Sequence, residues 1–247
     1  MFKKNIFETH LKSEIFGRHI KYFKSIYSTN SEATNYLYKD NHGCVIITKN
    51  QTSGKGRRNN QWFSIPNKSL TFSIIINKHK IKNAHLLSII PAIAIITAIK
   101  KISNLQCKIK WPNDIILNDK KIGGILIETK FDCIIIGIGL NVNEKQNELN
   151  MKIEKNASSL KINQTSIINL ELLLANILNE LEKNFDKETH TLISEWEKYC
   201  NHMSKQITFH ENDNMVSGVF TGINQNGQAI ININNQTEFI SSGIIEV

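Results

Sequence analysis

The 247-residue chain has little of what builds a metal or redox centre. Its four cysteines, Cys44, Cys107, Cys133 and Cys200, form no CxxC pair, and no histidines stand at zinc-ligand spacing. Free thiols in a reducing compartment are the expected state. No Ser/His/Asp or Cys/His signature announces an enzymic nucleophile. Residues 1–20 mix polar and charged side chains with no apolar centre, so the sequence reading expects no signal peptide and a cytoplasmic protein. The most apolar stretch, 86–99, is interrupted by Ser88, Pro91 and Thr97 and is too short to cross a bilayer; it reads as a buried helix. There is no internal repeat and no low-complexity linker.

What is present is an ordinary globular composition, 40% hydrophobic and 21% charged, in a length that suits one large domain with a small appendage. The net charge of +8 raises a nucleic-acid partner, but the lysines are scattered, and a clustered stripe would be the better sign. One cluster does stand out: Gln51-Thr52-Ser53-Gly54-Lys55-Gly56-Arg57-Arg58-Asn59-Asn60-Gln61-Trp62. Glycines let backbone N–H groups approach a ligand, and Lys55, Arg57 and Arg58 add positive charge beside them. Such a loop suits an anion, most of all a phosphate. It is not a Walker loop, because no Ser or Thr follows the Gly-Lys pair. Taken alone, it reads equally well as a solvated basic turn.

Periodicity predicts an α+β chain rather than a doubly wound one. Thr29 and Glu32 have capping-box spacing, which predicts a helix running through Tyr36 and Leu37 with free N–H groups at its start. Val45–Thr48, Leu70–Ile76, Lys108–Trp111 and Cys133–Ile138 read as strands. A long helix is expected from Asn83 to about Lys101, with Pro91 as a kink. Asp114–Leu117 and Ile122–Glu128 flank a polar turn and predict a hairpin. The segment 144–165 reads as a polar surface connection, and Ile167–Phe185 and Thr189–Tyr199 as helices. Composition shifts near Ser204. Four short strands, Ile207–Phe209, Val216–Ile223, Ala229–Ile233 and Glu238–Ile240, then suggest a small β module. The expected division is 1–204 and 205–247.

Three further segments accompany the cationic loop: Ser28-Thr29-Asn30-Ser31; Lys110-Trp111-Pro112-Asn113-Asp114 with Lys121-Ile122-Gly123-Gly124-Ile125-Leu126-Ile127-Glu128; and Gly137-Ile138-Gly139-Leu140-Asn141-Val142-Asn143. In this order and spacing they resemble the biotin protein ligase (holocarboxylase synthetase) family over residues 14–143. The resemblance implies a mixed β-sheet backed by helices, a class II synthetase-like catalytic fold, with a small C-terminal SH3-like β-barrel. It also implies an ATP-dependent enzyme that forms biotinyl-5′-AMP and passes biotin to a lysine of a biotin carboxyl carrier domain of acetyl-CoA carboxylase. Such chemistry needs charge neutralisation and alignment rather than an enzymic nucleophile.

By the same resemblance, Ser28, Thr29, Asn30 and Gln51 meet the biotin ureido ring, whose donors and acceptor suit short hydroxyl and amide groups. Lys55, Gly56, Arg57, Lys121 and Gly124 belong to the biotin site. Gly54, Arg57, Arg58, Trp62, Asn113, Gly139 and Asn141 belong to ATP and the adenylate. Lys110 and Arg57 are the catalytic cations, and Asp114 is the candidate ligand for Mg²⁺. The sequence departs from the family at Lys55, where arginine is usual, and at Asn60, where a cation is common; weaker retention of the adenylate is the expectation. Asn59 is acceptable at its position. About 27 residues precede the Ser-Thr-Asn motif, too few for a DNA-binding helix-turn-helix, so a ligase without repressor activity is expected, as a monomer or weak homodimer. A lipoate-attaching enzyme and a non-enzymic nucleic-acid binder are the rival readings.

Overall fold

The computed structural model describes residues 2–150, 156–211, 214–241 and 243–246. In chain order the elements are α1 (Lys4–His10), β1 (Ile20–Phe23), α2 (Thr29–Ala33), β2 (Val45–Thr48), β3 (Gly54–Lys55), β4 (Gln61–Trp62), β5 (Ser69–Asn77), α3 (Ile90–Ser103), β6 (Lys108–Lys110), β7 (Asp114–Leu117), β8 (Lys120–Lys130) and β9 (Cys133–Asn141). Then come α4 (Gln146–Asn150), α5 (Leu170–Phe185), α6 (Thr189–Tyr199), β10 (Gln206–Glu211), β11 (Asn214–Ile223), β12 (Ala229–Ile233), β13 (Gln236–Ile240) and β14 (Ile244–Glu246). The main sheet has seven strands in the order β1-β2-β5-β9-β8-β7-β6. Only β1 and β2 pair in parallel.

The sheet sorts its side chains by strand parity, as a pleat must. On β5 and β9 the even positions, Phe72, Ile74, Ile76, Ile134, Ile136 and Ile138, enter the main core with α3 and α5. The odd positions divide. Ile75, Cys133 and Ile135 join Ala33, Cys44 and Ile46 in a second, smaller core beneath α2. Ser73, Gly137 and Gly139 follow on the same face and carry almost no bulk. This bare half of one face holds the site.

Several expectations need correction. The helix at Thr29 is only five residues long and gives way to a 3-10 turn at Thr34–Tyr36. Ser28 occupies the cap position without a side-chain capping bond, and the Thr29 N–H donates to Gln51 Oε1 at 2.7 Å. Pro91 does not kink a helix; it lies in the first turn of α3, where its missing N–H is no loss. A separate 3-10 turn, Ala84–Leu86, precedes it. The 144–165 connection is not a surface loop throughout: Glu144, Leu149, Ala157, Ser158, Ser159 and Leu160 are buried, while 151–155 lie outside the described residues. The β7–β8 hairpin is as expected, with Asn118 and Asp119 both left-handed at its turn.

The C-terminal sheet is antiparallel, in the order β13-β12-β11-β10-β14, one strand more than the sequence reading. Its Ile207, Phe209, Phe220, Ile231 and Ile245 join Trp196 of α6 in the main core. A module this small leans on its neighbour for a core.

Candidate active site

β3 and β4 form a short ladder, Gly54 against Trp62 and Lys55 against Gln61, that carries the cationic loop out over the bare half of the sheet. At its tip Arg58 and Asn59 take left-handed backbone angles, φ 52° and 62°, and the Gly56 N–H donates to the Asn60 carbonyl at 2.7 Å. Between loop and sheet lies a cavity of about 370 Å³. Of the residues chosen from the sequence, Ser28, Thr29, Asn30, Gln51, Lys55, Gly56, Arg57, Arg58, Trp62, Lys110, Asn113, Asp114, Lys121, Gly124 and Gly139 line it. They come from elements far apart in the chain: the start of α2, the loop, the ends of β6 and β7, and the middle of β8 and β9.

The glycines of β9 sit in regular strand, not in a bulge. They are glycines because side chains from other elements lie on them. A Cβ at Gly139 would overlap the Trp62 indole, and one at Gly137 would overlap the Asn30 amide. Gly124 has only ordinary contacts near its Cβ position, so it leaves open floor. Trp62 thus lies flat on the strand and walls the cavity. Its Nε1 has no hydrogen-bond partner among the described residues.

Two predicted residues lie elsewhere. Gly54 lines a second hollow on the outer side of the loop, and its lack of a side chain lets the Trp62 carbonyl pass. Asn141 is buried away from the cavity and donates from Nδ2 to the Ser158 carbonyl at 3.0 Å, tying down the 156–160 segment. Conversely, the sequence reading assigned no site role to Gly243 and Ile245, which close the cavity from the C-terminal sheet. Trp111 anchors that sheet: its indole N–H donates to the Gly227 carbonyl at 3.3 Å. Nothing local in the sequence signals Gly243. Leu126, by contrast, follows from the two-residue repeat that begins at Gly124.

The charges are arranged in pairs. Arg57 Nη1 donates to Asn113 Oδ1 at 2.9 Å, and Asn113 Nδ2 donates to the Ile125 carbonyl at 3.0 Å. Asn113 therefore lines the cavity, but its amide is spent on holding Arg57. Burial, then the neighbouring Arg58, lower the Arg57 pKa from its usual value, with Asp114 opposing; a guanidinium stays charged even so. Lys121 Nζ lies 2.7 Å from Asp114 Oδ1. That pairing, with no cluster of three or more His, Cys, Asp or Glu among the described residues, leaves Asp114 short of a protein-built metal cage. Lys110 is half-buried at the cavity and takes part in no ion pair among the described residues. Behind it, the Asn201 N–H donates to the Ile109 carbonyl at 2.8 Å, and His202 is wholly buried. Burial, with Lys110 and Lys205 adding to it, pushes the His202 pKa down to about 4, so the ring is neutral beside the lysine.

One cavity thus joins a neutral polar end, at Ser28, Thr29, Asn30 and Gln51, to a cationic end, at Arg57, Arg58 and Lys110. Such a site can hold a ligand with an uncharged polar head and an anionic tail, and can stabilise charge that builds on that tail.

Residues 22–141 match the family model for the biotin/lipoate A/B protein ligase family. The chain is 29% identical to the bifunctional ligase/repressor BirA of Bacillus subtilis, over 96% of this chain and 76% of that one. It is 27% identical to the chloroplastic biotin–protein ligase 1 of Arabidopsis thaliana, over 75% of this chain and 52% of that one. In fold it is similar to the biotin protein ligase from Aquifex aeolicus solved in complex with biotin and ATP: TM-score 0.82, 23% identity, 93% of this chain and 98% of that one.

Proposed function

The chain belongs to the biotin/lipoate A/B protein ligase family, and from that premise we propose that it is an ATP-dependent biotin protein ligase that works through biotinyl-5′-AMP on a biotin carboxyl carrier domain. The observation that carries this reading is the two-ended cavity. Its neutral end, with hydroxyls and amides from Ser28, Thr29, Asn30 and Gln51, complements a cyclic urea. Its cationic end complements a carboxylate and an α-phosphate. In the first step the biotin carboxylate attacks the α-phosphorus of ATP and pyrophosphate leaves. In the second, the amine of the acceptor lysine attacks the acyl carbon and AMP leaves.

Arg57, held in place by Asn113, neutralises the two anions so that they can approach. Lys110, with no carboxylate partner among the described residues, is available for the charge that develops on the phosphate. Trp62 walls the adenylate against β9, and Gly243 and Ile245 close the cavity from the C-terminal module, here taken as residues 205–247. Mg²⁺ would come with the triphosphate rather than as a resident ion: among the described residues lining the cavity Asp114 is the one carboxylate, and it is already paired with Lys121. Repressor activity is not part of the proposal.

The test is to mix the protein with biotin, ATP and Mg²⁺ and to follow pyrophosphate release and biotin transfer to a carrier domain. Biotin-dependent turnover that falls about 100-fold in Lys110→Ala is expected. Folded protein with no biotin-dependent turnover would sink the reading, and lipoate would be tried next.

A further inference from the structure

Behind Asn30 and Thr29, which line the cavity, stand two polar groups that the reaction described above does not use, Glu128 and Ser73. Glu128 Oε2 accepts from Asn30 Nδ2 at 2.7 Å, and the Leu126 carbonyl accepts from the same amide at 3.4 Å. Ser73 Oγ lies 2.6 Å from Asn30 Oδ1 and 2.7 Å from Thr29 Oγ1. Ser73 is fully buried, and Asn30 and Thr29 nearly so. Ser73, Gly137 and Leu126 are in register across β5, β9 and β8, and Gly137 leaves the space in which the Asn30 amide lies.

Counting protons gives this run of hydrogen bonds a direction. A carboxylate and a backbone carbonyl only accept, so the Asn30 amino group must face them and its oxygen must face Ser73. An amide oxygen also only accepts, so the single Ser73 proton goes to it. The 2.7 Å contact between the two hydroxyls then takes the Thr29 proton, in preference to the 3.2 Å contact between Thr29 Oγ1 and Gln51 Oε1. Thr29 Oγ1 is left with only lone pairs for the cavity it lines. Gln51 Oε1 is held by the Thr29 N–H at 2.7 Å.

We propose that Glu128 is a positioning residue which, through Asn30 and Ser73, fixes the Thr29 hydroxyl as a hydrogen-bond acceptor and so selects a ligand head that presents N–H donors. This rests on the biotin reading and sharpens it. A cyclic urea has two N–H groups, whereas the dithiolane of lipoate has none, so the relay chooses between the two substrates that the family name spans.

Exchanging the charge tests the direction of the relay. In Glu128→Lys the new ammonium only donates. It turns the Asn30 oxygen toward itself, sends the amino group to Ser73, and makes Thr29 a donor. Adding Asn30→Asp restores an acceptor on both sides and with it the original direction. Biotin titration calorimetry on the full chain should show affinity about tenfold weaker or worse in Glu128→Lys, recovered for the most part in the double variant, with melting temperatures close to wild type. Wild-type affinity in Glu128→Lys, or a loss that Asn30→Asp does not recover, overturns the relay. If Glu128→Lys does not fold, Ser73→Ala replaces it: a comparable loss supports the relay and unchanged affinity overturns it. A folded wild-type protein that binds no biotin would overturn the reading of the site itself, whereas biotin binding with unmoved variants removes only the relay.

Discussion

Two halves of one sheet face have opposite characters although the same strands build both. Toward one end, Ile75, Cys133 and Ile135 bury themselves with Ala33, Cys44 and Ile46 under α2. Toward the other, the same parity on the same strands places Ser73, Gly137 and Gly139, and foreign side chains lie on them. The apolar half fixes α2, and α2 presents Thr29 and Asn30 to the bare half. The contrast shows that this site was made by withholding side chains from a sheet rather than by adding catalytic ones. Two residues of register separate Ile135 from Gly137, which is the repeat of a strand.

Filling the bare half should break the contrast most completely. In Gly139→Val the new side chain displaces the Trp62 ring, and biotin binding measured by calorimetry is expected to vanish while far-UV circular dichroism stays native. Retained binding would mean that Trp62 is not the wall. Emptying the apolar half should do the converse. Ile135→Ala is expected to cost about 2–4 kcal/mol in urea unfolding and to leave biotin affinity per folded molecule unchanged; lost affinity at full stability would erase the distinction between the halves.

Acid probes the support behind the cationic end, a third region against which both halves can be set. His202 is neutral when folded, with its pKa down at about 4, and titrates near 6.5 when unfolded. Above pH 6.5 neither state carries its proton. Below it the unfolded state binds more protons, so stability should fall by roughly 1 kcal/mol per pH unit between 6.5 and 4. His202→Gln should flatten that slope in melting curves taken across the range, and an unchanged slope would assign the acid sensitivity elsewhere. The smallest effect is expected at the loop. Asn60→Arg supplies the cation usual in the family and should slow adenylate dissociation by about threefold, a typical return for one exposed ion pair. Dissociation that does not change would show that the loop needs no further charge.

How much was legible in the sequence follows the same division. β2, β5 and β9 were readable because each carries a short run of consecutive apolar, largely β-branched residues, Val45–Ile47, Ile74–Ile76 and Ile134–Ile136, that reads as a buried strand. The cationic loop and the Lys110 segment were readable only together, because either alone has a bland explanation while several such motifs in this order and spacing do not. β1 went unrecognised: Ile20–Phe23 is a short mixed stretch that becomes a strand only by pairing with Val45–Thr48. The capping box failed at Thr29 because distant residues engage it instead: its N–H donates to Gln51 Oε1, and its hydroxyl lies against Ser73. Glu144 hid in a polar stretch, yet it is buried against Ser69, and burial raises its pKa to about 7. No local pattern marks a carboxylate that tertiary packing will cover. Ser73 was likewise invisible inside an apolar strand, and its partner Asn30 is 43 positions away.

The cavity wall formed by Gly243 and Ile245 has a consequence in time. A chain emerging from the ribosome exposes Ser28 early and can complete the main sheet once β9 is out, long before residue 245 exists. During that interval the floor is built and the wall is missing. The Trp111–Gly227 contact, between residues 116 positions apart, closes a long loop and cannot form until the final sheet has been made. Under the proposed function, a nascent chain passes through a stage in which it has a place for the small ligand but no enclosure that would keep water from a mixed anhydride. The Trp111–Gly227 contact is one of the ties that fasten that wall to the finished sheet.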